Sequence, residues 1–170
     1  VFWGVNGYPV KYDLLDNITQ PGHNITGIYQ AGYLREGLDY LHEILPELKT
    51  FAILSDDSPT GRAKAKEIKR MAMTSKLPLR LESSVITGSL TEWKKQALEL
   101  QQNVDAFFVL NHNTLKDDKG SVVDPMVVGA WYLNNIRQPG IAHERQFVEE
   151  GILAAVDDSG YKQAFEAVRI

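Results

Sequence analysis

Residues 20–28 read Gln-Pro-Gly-His-Asn-Ile-Thr-Gly-Ile, and residues 50–58 read Thr-Phe-Ala-Ile-Leu-Ser-Asp-Asp-Ser. The first stretch is a loop by its chemistry. Pro21-Gly22 is a turn pair, and Gly27 permits a backbone angle closed to other residues. The second is an apolar run of strand length that ends in an acidic, hydroxyl-rich tip. Between them Leu34, Leu38, Leu41, Leu45 and Leu48 recur at helical spacing. This predicts one amphipathic helix over about 33–47. A turn thus feeds a helix, then a short strand buried on both faces.

The same alternation continues in both directions. Val1–Asn6 is apolar and bounded by Gly7-Tyr8-Pro9. Pro59-Thr60-Gly61 opens a basic helix to about Ser75, with Ala63, Ile68, Met71 and Ala72 inward. Leu79–Ile86 is strand-like, and Leu90–Gln102 is a helix burying Trp93, Ala97 and Leu100. Ala106–Leu110 is an apolar strand ending in Asn111-His112-Asn113-Thr114. Residues 115–124 form a polar loop, and Pro125 suits the first turn of a helix to about Asn135. Short strands follow at Pro139–Ala142 and Ile152–Val156, then a helix over Gly160–Val168. Strands alternating with helices predict an α/β fold, a three-layer α/β/α sandwich around a mainly parallel, doubly wound sheet.

Ligands of such sheets bind outside the carboxyl ends of the strands. Those ends carry Asn6, Ser55-Asp56-Asp57-Ser58, Asn111-His112-Asn113-Thr114 and Asp157-Asp158, all polar and all abutting apolar strands. Asp57, Glu144 and Asp157 suit an ammonium group. The backbone at Thr60-Gly61 suits an anion, as does Asn113-Thr114 if a helical turn follows. Tyr8, Tyr12, Tyr29 and Trp131 either wall an apolar ligand or pack in the core. Asp56, Asp57 and Ser58 equally suit a plain helix cap, and His112 either a ligand contact or the core. The cations Arg62, Lys64, Lys66, Lys69 and Arg70 read most simply as a solvated helix face, and the Asn-X-Thr triplets at Asn17 and Asn24 as chance.

Composition narrows the function. The 170 residues are 44% hydrophobic and 24% charged, with a net charge of −4, which leaves no electrostatic footprint for nucleic acid. No apolar run is long enough to span a bilayer. The chain has no cysteine, so disulfides, thiolate zinc sites and cysteine nucleophiles are excluded. His23, His42, His112 and His143 lack metal-ligand spacing, and no cofactor or metal is expected. Phosphate-loop, dinucleotide, zinc-protease and nucleophile-elbow motifs are all missing, which argues against an enzyme. An acidic pair after a strand, Asp56-Asp57, also occurs in response-regulator receivers. A receiver needs a phosphoacceptor Asp where Asn111-His112 stands and a Lys near Ala142-His143, and has neither here. The chain opens inside a strand, without initiator Met, basic n-region or signal h-region, so no targeting signal is legible in it.

With these residues placed, the chain resembles the type I periplasmic substrate-binding proteins of ABC transporters, in the tryptophan/tyrosine-type family. That family has a proline-glycine-asparagine-x-threonine-glycine crossover, matched, with His23 between Gly22 and Asn24, by Pro21-Gly22, Asn24 and Thr26-Gly27. A helix ending in leucine-proline before a strand follows, matched by Leu45-Pro46 and Thr50–Ser55. Val104-Asp105-Ala106 and the proline-led strand at Pro139 also fit. The tip Ser55-Asp56-Asp57-Ser58 is more acidic than the family's asparagine-rich version, which leaves ligand identity open.

The resemblance implies two lobes closing on a small ligand about a hinge. Residues 29–143 would form the second lobe. Residues 1–28 would be a remnant of the first lobe with the first crossover, and 144–170 the return crossover with a further remnant. Most of the first lobe is expected before Val1 and another segment beyond Ile170. The hinge falls at Thr26 and Gly27. Asn6, Tyr8, Ser55, Asp57, Ser58, Thr60, Asn111, Asn113, Thr114, Glu144 and Asp157 would bind the ligand, a small polar molecule such as an amino acid or other carboxylate. The implied role is that of the solute-binding component of an ABC-type uptake system, partnered by its permease. It would be periplasmic or extracellular, free or membrane-anchored. Surface left bare by the missing lobe part would allow a homodimer. A different class of role fits the same fold, an extracellular ligand-sensing domain of a signal-transduction protein. A third, an α/β hydrolase, lacks a catalytic constellation.

Overall fold

The computed structural model describes residues 2–6, 15–20, 24–30, 32–74, 77–157 and 159–169. The chain divides into two compact units, Val1–Tyr33 with Asp157–Ile170, and Leu34–Val156. In the smaller unit β1 (Phe2–Asn6) pairs in parallel with β2 (Gly27–Gln30), and α6 (Gly160–Arg169) packs on both. Leu15 is buried there, and Asn17 Oδ1 accepts from the Thr19 and Gln20 N–H groups at 2.8 and 3.2 Å, an Asx turn.

The larger unit opens with α1 (Leu34–Ile44), β3 (Thr50–Ser55), α2 (Pro59–Thr74), β4 (Arg80–Ile86) and α3 (Leu90–Leu100). It continues through β5 (Ala106–Val109), α4 (Pro125–Asn135), β6 (Gly140–Ala142), α5 (Arg145–Glu149) and β7 (Ala154–Ala155). Its five strands are all parallel in the order β4-β3-β5-β6-β7. Strand alternation splits the core into two layers. Phe51, Ile53, Ala106 and Phe108 face α1 and α2, where Leu34, Leu38, Leu41, Ala65 and Ile68 cover them. Ala52, Leu54, Phe107 and Val109 face the other side, covered by Trp93 and Ala97 of α3, Val128 and Tyr132 of α4 and Phe147 of α5. Successive side chains point to opposite faces, so a wholly apolar strand needs helices on both sides. This is the three-layer α/β/α sandwich predicted.

Local differences from the sequence reading have simple causes. Gly27 opens β2 rather than closing a loop, and it is not among the left-handed residues. Left-handed backbone occurs instead at Gly32 (φ 84°) and Tyr33 (φ 28°), where one unit gives way to the next. In α2 the inward residues are Gly61, Ala65 and Ile68, while Ala63 and Ala72 are exposed and Met71 is half-buried. A glycine at the contact shifts the buried stripe. The larger unit continues past residue 143 because β6 pairs with β7, Ile141 against Ala154.

Candidate functional site

The strand order reverses beside β3: the chain runs from β3 out to β4, then returns to lay β5 on the other side. The crevice of a doubly wound sheet lies at such a reversal, outside the carboxyl ends of the two strands. Here those ends are Ser55–Ser58 and Leu110–Thr114, bound together by a fully buried carboxylate. Asp56 Oδ2 accepts from Thr114 N–H at 3.0 Å and from its hydroxyl at 2.8 Å. Asp56 Oδ1 accepts from the Ser58 hydroxyl at 2.5 Å and from Ser58 N–H at 3.2 Å. The Asp56 N–H donates to Asn111 O at 2.7 Å. One side chain therefore fixes both tips.

A matching clamp holds the amino ends of the same strand pair. Asp105 Oδ2 accepts from Lys49 N–H, Thr50 N–H and the Thr50 hydroxyl, each at 2.9 Å. These bonds, led by that from Lys49, hold the Asp105 carboxyl below its usual range.

The sequence-predicted residues take different places on this frame. Ser58 is the helix cap, its hydroxyl accepting from Gly61 N–H at 3.1 Å, so that backbone group is not open to an anion. Thr114 is taken up by Asp56, and no helix starts at Asn113-Thr114 to present free N–H groups. Ser55 lies under α2, its buried Oγ without a hydrogen-bond partner among the described residues and directly beneath the position that a Cβ on Gly61 would take. Asn111 donates to Ser58 Oγ at 3.4 Å. Asn113 keeps a buried Oδ1 with no partner among the described residues, and Thr60 is half-buried in the first turn of α2. Asp57 is exposed at the β3 tip, its carboxylate 3.0 Å from where a Gly88 Cβ would stand. Ser55, Asp57, Ser58, Thr60, Asn111, Asn113 and Thr114 thus gather at the reversal.

Glu144 lies instead at the end of β6, 3.3 Å from His143 Nε2 and 3.7 Å from Lys64 Nζ. The bond from His143 is the largest cause holding its carboxyl down. Trp131 packs edge-on against Trp93 at 5.9 Å with Lys94 over its ring, away from the tips. Asn6, Thr26, Gly27 and Asp157 belong to the smaller unit. Tyr8 and Tyr12 lie outside the described residues. Sequence reasoning placed Asp56 at the strand tip but not its bonds to Thr114, and it missed the partner of His112, whose Nε2 is 2.5 Å from Glu150 Oε2. No group of three or more His, Asp or Glu among the described residues is placed to hold a metal ion.

Over residues 1–170 the sequence matches the family described as ABC transporter substrate binding protein. The chain belongs to that family. It is a substrate-binding, non-enzymatic family whose members are typically periplasmic or extracellular. No helix among the described residues is long and apolar enough to cross a membrane. No curated protein matches the sequence. Among solved structures, an ABC domain in complex with L-Trp from Streptococcus pneumonia is similar at 21% identity and TM-score 0.66, covering 95% of this chain and 52% of that one. A conserved domain protein from Vibrio cholerae O1 biovar El Tor is similar at 17% identity and TM-score 0.67, with coverage of 95% and 52%. The ligand-free, open structure of a substrate binding protein with adhesive properties from Clostridium difficile is similar at 22% identity and TM-score 0.70, with coverage of 98% and 55%. These likenesses establish the periplasmic-binding-protein type I fold of this family member, which spans about half the length of each of these structures.

Proposed function

We propose that this chain binds a small polar solute at the carboxyl ends of β3 and β5, as part of the solute-binding component of an ABC-type uptake system. The observation that carries this is the Asp56 clamp at the strand-order reversal. It holds the Ser55–Ser58 and Asn111–Thr114 tips in one rigid arrangement while Asp57 stays exposed. A site whose supports are locked spends little ordering entropy when it binds. Asn113, whose buried Oδ1 has no partner among the described residues, offers an acceptor to a ligand N–H.

The ligand class is an amino acid or another carboxylate-bearing molecule. Asp57 suits its ammonium group, and the bound L-Trp of the pneumococcal relative supports the class. On this reading Leu34–Val156 is the body of one lobe. The segments flanking it belong to the other, and Glu144 lies in the first, at the end of β6. Thr26, Gly27 and the left-handed pair Gly32-Tyr33 lie along the segment leading to the first crossing. The partner for delivery is the cognate permease.

A thermal-shift screen of L-amino acids, sugars and small acids tests the reading. A ligand present at about 100 times its Kd should stabilise the protein by roughly 2.7 kcal/mol, a rise of several degrees in Tm. Stabilisation by none of the amino acids or small carboxylates would contradict it.

A further inference from the structure

We infer that His112 is a positioning residue for the Asn111–Thr114 tip, and that it holds the tip only as the neutral imidazole, so that acid loosens the site. The inference rests on the solute-binding reading for its consequence, but its geometry is independent of any ligand. His112 lies in the middle of the tip and is 1% exposed. Its ring packs on Phe147 of α5 at 4.8 Å, and its Nε2 meets Glu150 at the end of that helix. Glu150 leads into Gly151 (φ 118°) and on to β7. The tip is thus held from two sides, by β3 through Asp56 and by the α5–β7 corner through His112.

The protonation state follows from the partners. A carboxylate oxygen faces Nε2 at 2.5 Å, so Nε2 carries the hydrogen and donates it. Nδ1 is buried with no partner among the described residues. A second proton would go there, leaving a buried cationic N–H without an acceptor. The surrounding charges come from every packed element. Asp56 at the β3 tip and the Glu150 carboxylate at Nε2 favour the cation, and His143 after β6 disfavours it. Glu144 and Lys64 of α2 sit around His143, while Asp124 before α4 and Glu149 of α5 act on Glu150. Burial outweighs these and pushes His112 down to about 4. Protonating Glu150 at its other oxygen would leave the Nε2–H···Oε2 bond in place. The trigger is therefore the imidazole. Once charged, the ring must reach water, and it leaves Phe147 and Glu150 to do so.

Native-state hydrogen exchange of the ligand-free protein reads this directly. Between about pH 7.5 and about pH 4, protection of the Thr114 N–H should fall about tenfold after correction for the intrinsic rate. His112→Gln keeps an N–H donor for Glu150 and cannot be protonated there, so it should retain its protection in acid. Equal loosening in His112→Gln, or none in the wild type, would overturn the inference. Should that variant fail to fold, imidazole 15N NMR of the wild type decides. His112 should hold its Nε2–H tautomer to about pH 5, and titration near the ordinary value of about 6.5 would overturn it. Neither experiment involves a ligand, so the solute-binding reading can fail without touching the result.

Discussion

Thr114 donates both its N–H and its hydroxyl to the same oxygen of Asp56, at 3.0 and 2.8 Å. This joins residues 58 positions apart, with the other Asp56 oxygen held by Ser58. Removing the carboxylate strands four donor groups at once. Asp56→Ala should cost roughly 2–4 kcal/mol in urea denaturation, against about 1 kcal/mol for Thr114→Val. In a double-mutant cycle the pair should couple, and strict additivity would show that the clamp carries no energy of its own.

Two glycines beside this clamp should respond differently. A Cβ on Gly61 would stand 2.7 Å from the Asp56 carbonyl oxygen, which is backbone and cannot swing away. Gly61→Ala should therefore lose about 1–3 kcal/mol despite the better helix propensity of alanine. On Gly88 the nearest atoms belong to the exposed Asp57 carboxylate, at 3.0 to 3.2 Å. Gly88→Ala should leave Tm nearly unchanged and weaken ligand binding by displacing Asp57. Thermal melts paired with binding titrations separate the two outcomes.

Stability should fall on acidification. His112 sits at about 4 in the folded protein, below its ordinary value of 6.5, so the unfolded chain binds more protons between those values. Its contribution is complete above about pH 6.5 and is lost progressively toward pH 4, at most on the order of 3 kcal/mol. His143, also lowered by burial, acts in the same direction. Glu144, lowered chiefly by its bond from His143, adds a loss at lower pH. Glu150, raised by burial, opposes them, because its folded form gains a proton more readily. Urea melts across this range should show the decline, and His112→Gln should flatten it.

Backbone freedom is needed at Gly32, with φ 84°, where a Cβ would meet nothing within 4 Å among the described residues. Gly32→Ala should cost about 1 kcal/mol through the backbone alone. Gly27 sits in β2 without a positive φ. Substitution there should act through the β1–β2 pair, and circular-dichroism melts of the two variants compare them.

Much of the larger unit could be read directly from residue patterns. The apolar runs at 51–54 and 106–109 and the leucine spacing in α1 placed the three layers, because burial on one or both faces leaves a periodicity. Pro125 marked the start of α4, where Asp124 also caps the helix by accepting from Met126 N–H at 2.8 Å. β2 escaped because four residues beginning with Gly27 carry no alternation. α5 escaped because five residues with Phe147 alone buried show no period. At the site, the polar strand ends pointed to the right corner of the sheet. Which of the adjacent Asp56 and Asp57 is buried depends on Thr114, far along the chain, and no local pattern encodes that.

Calorimetric titration of L-amino acids into the protein and its Asp57→Ala and Asn113→Ala variants tests the central claim most directly. We predict saturable one-to-one binding of at least one amino acid, weakened about tenfold or more in each variant at unchanged fold. Binding of equal strength in all three proteins would contradict a site at the β3 and β5 tips.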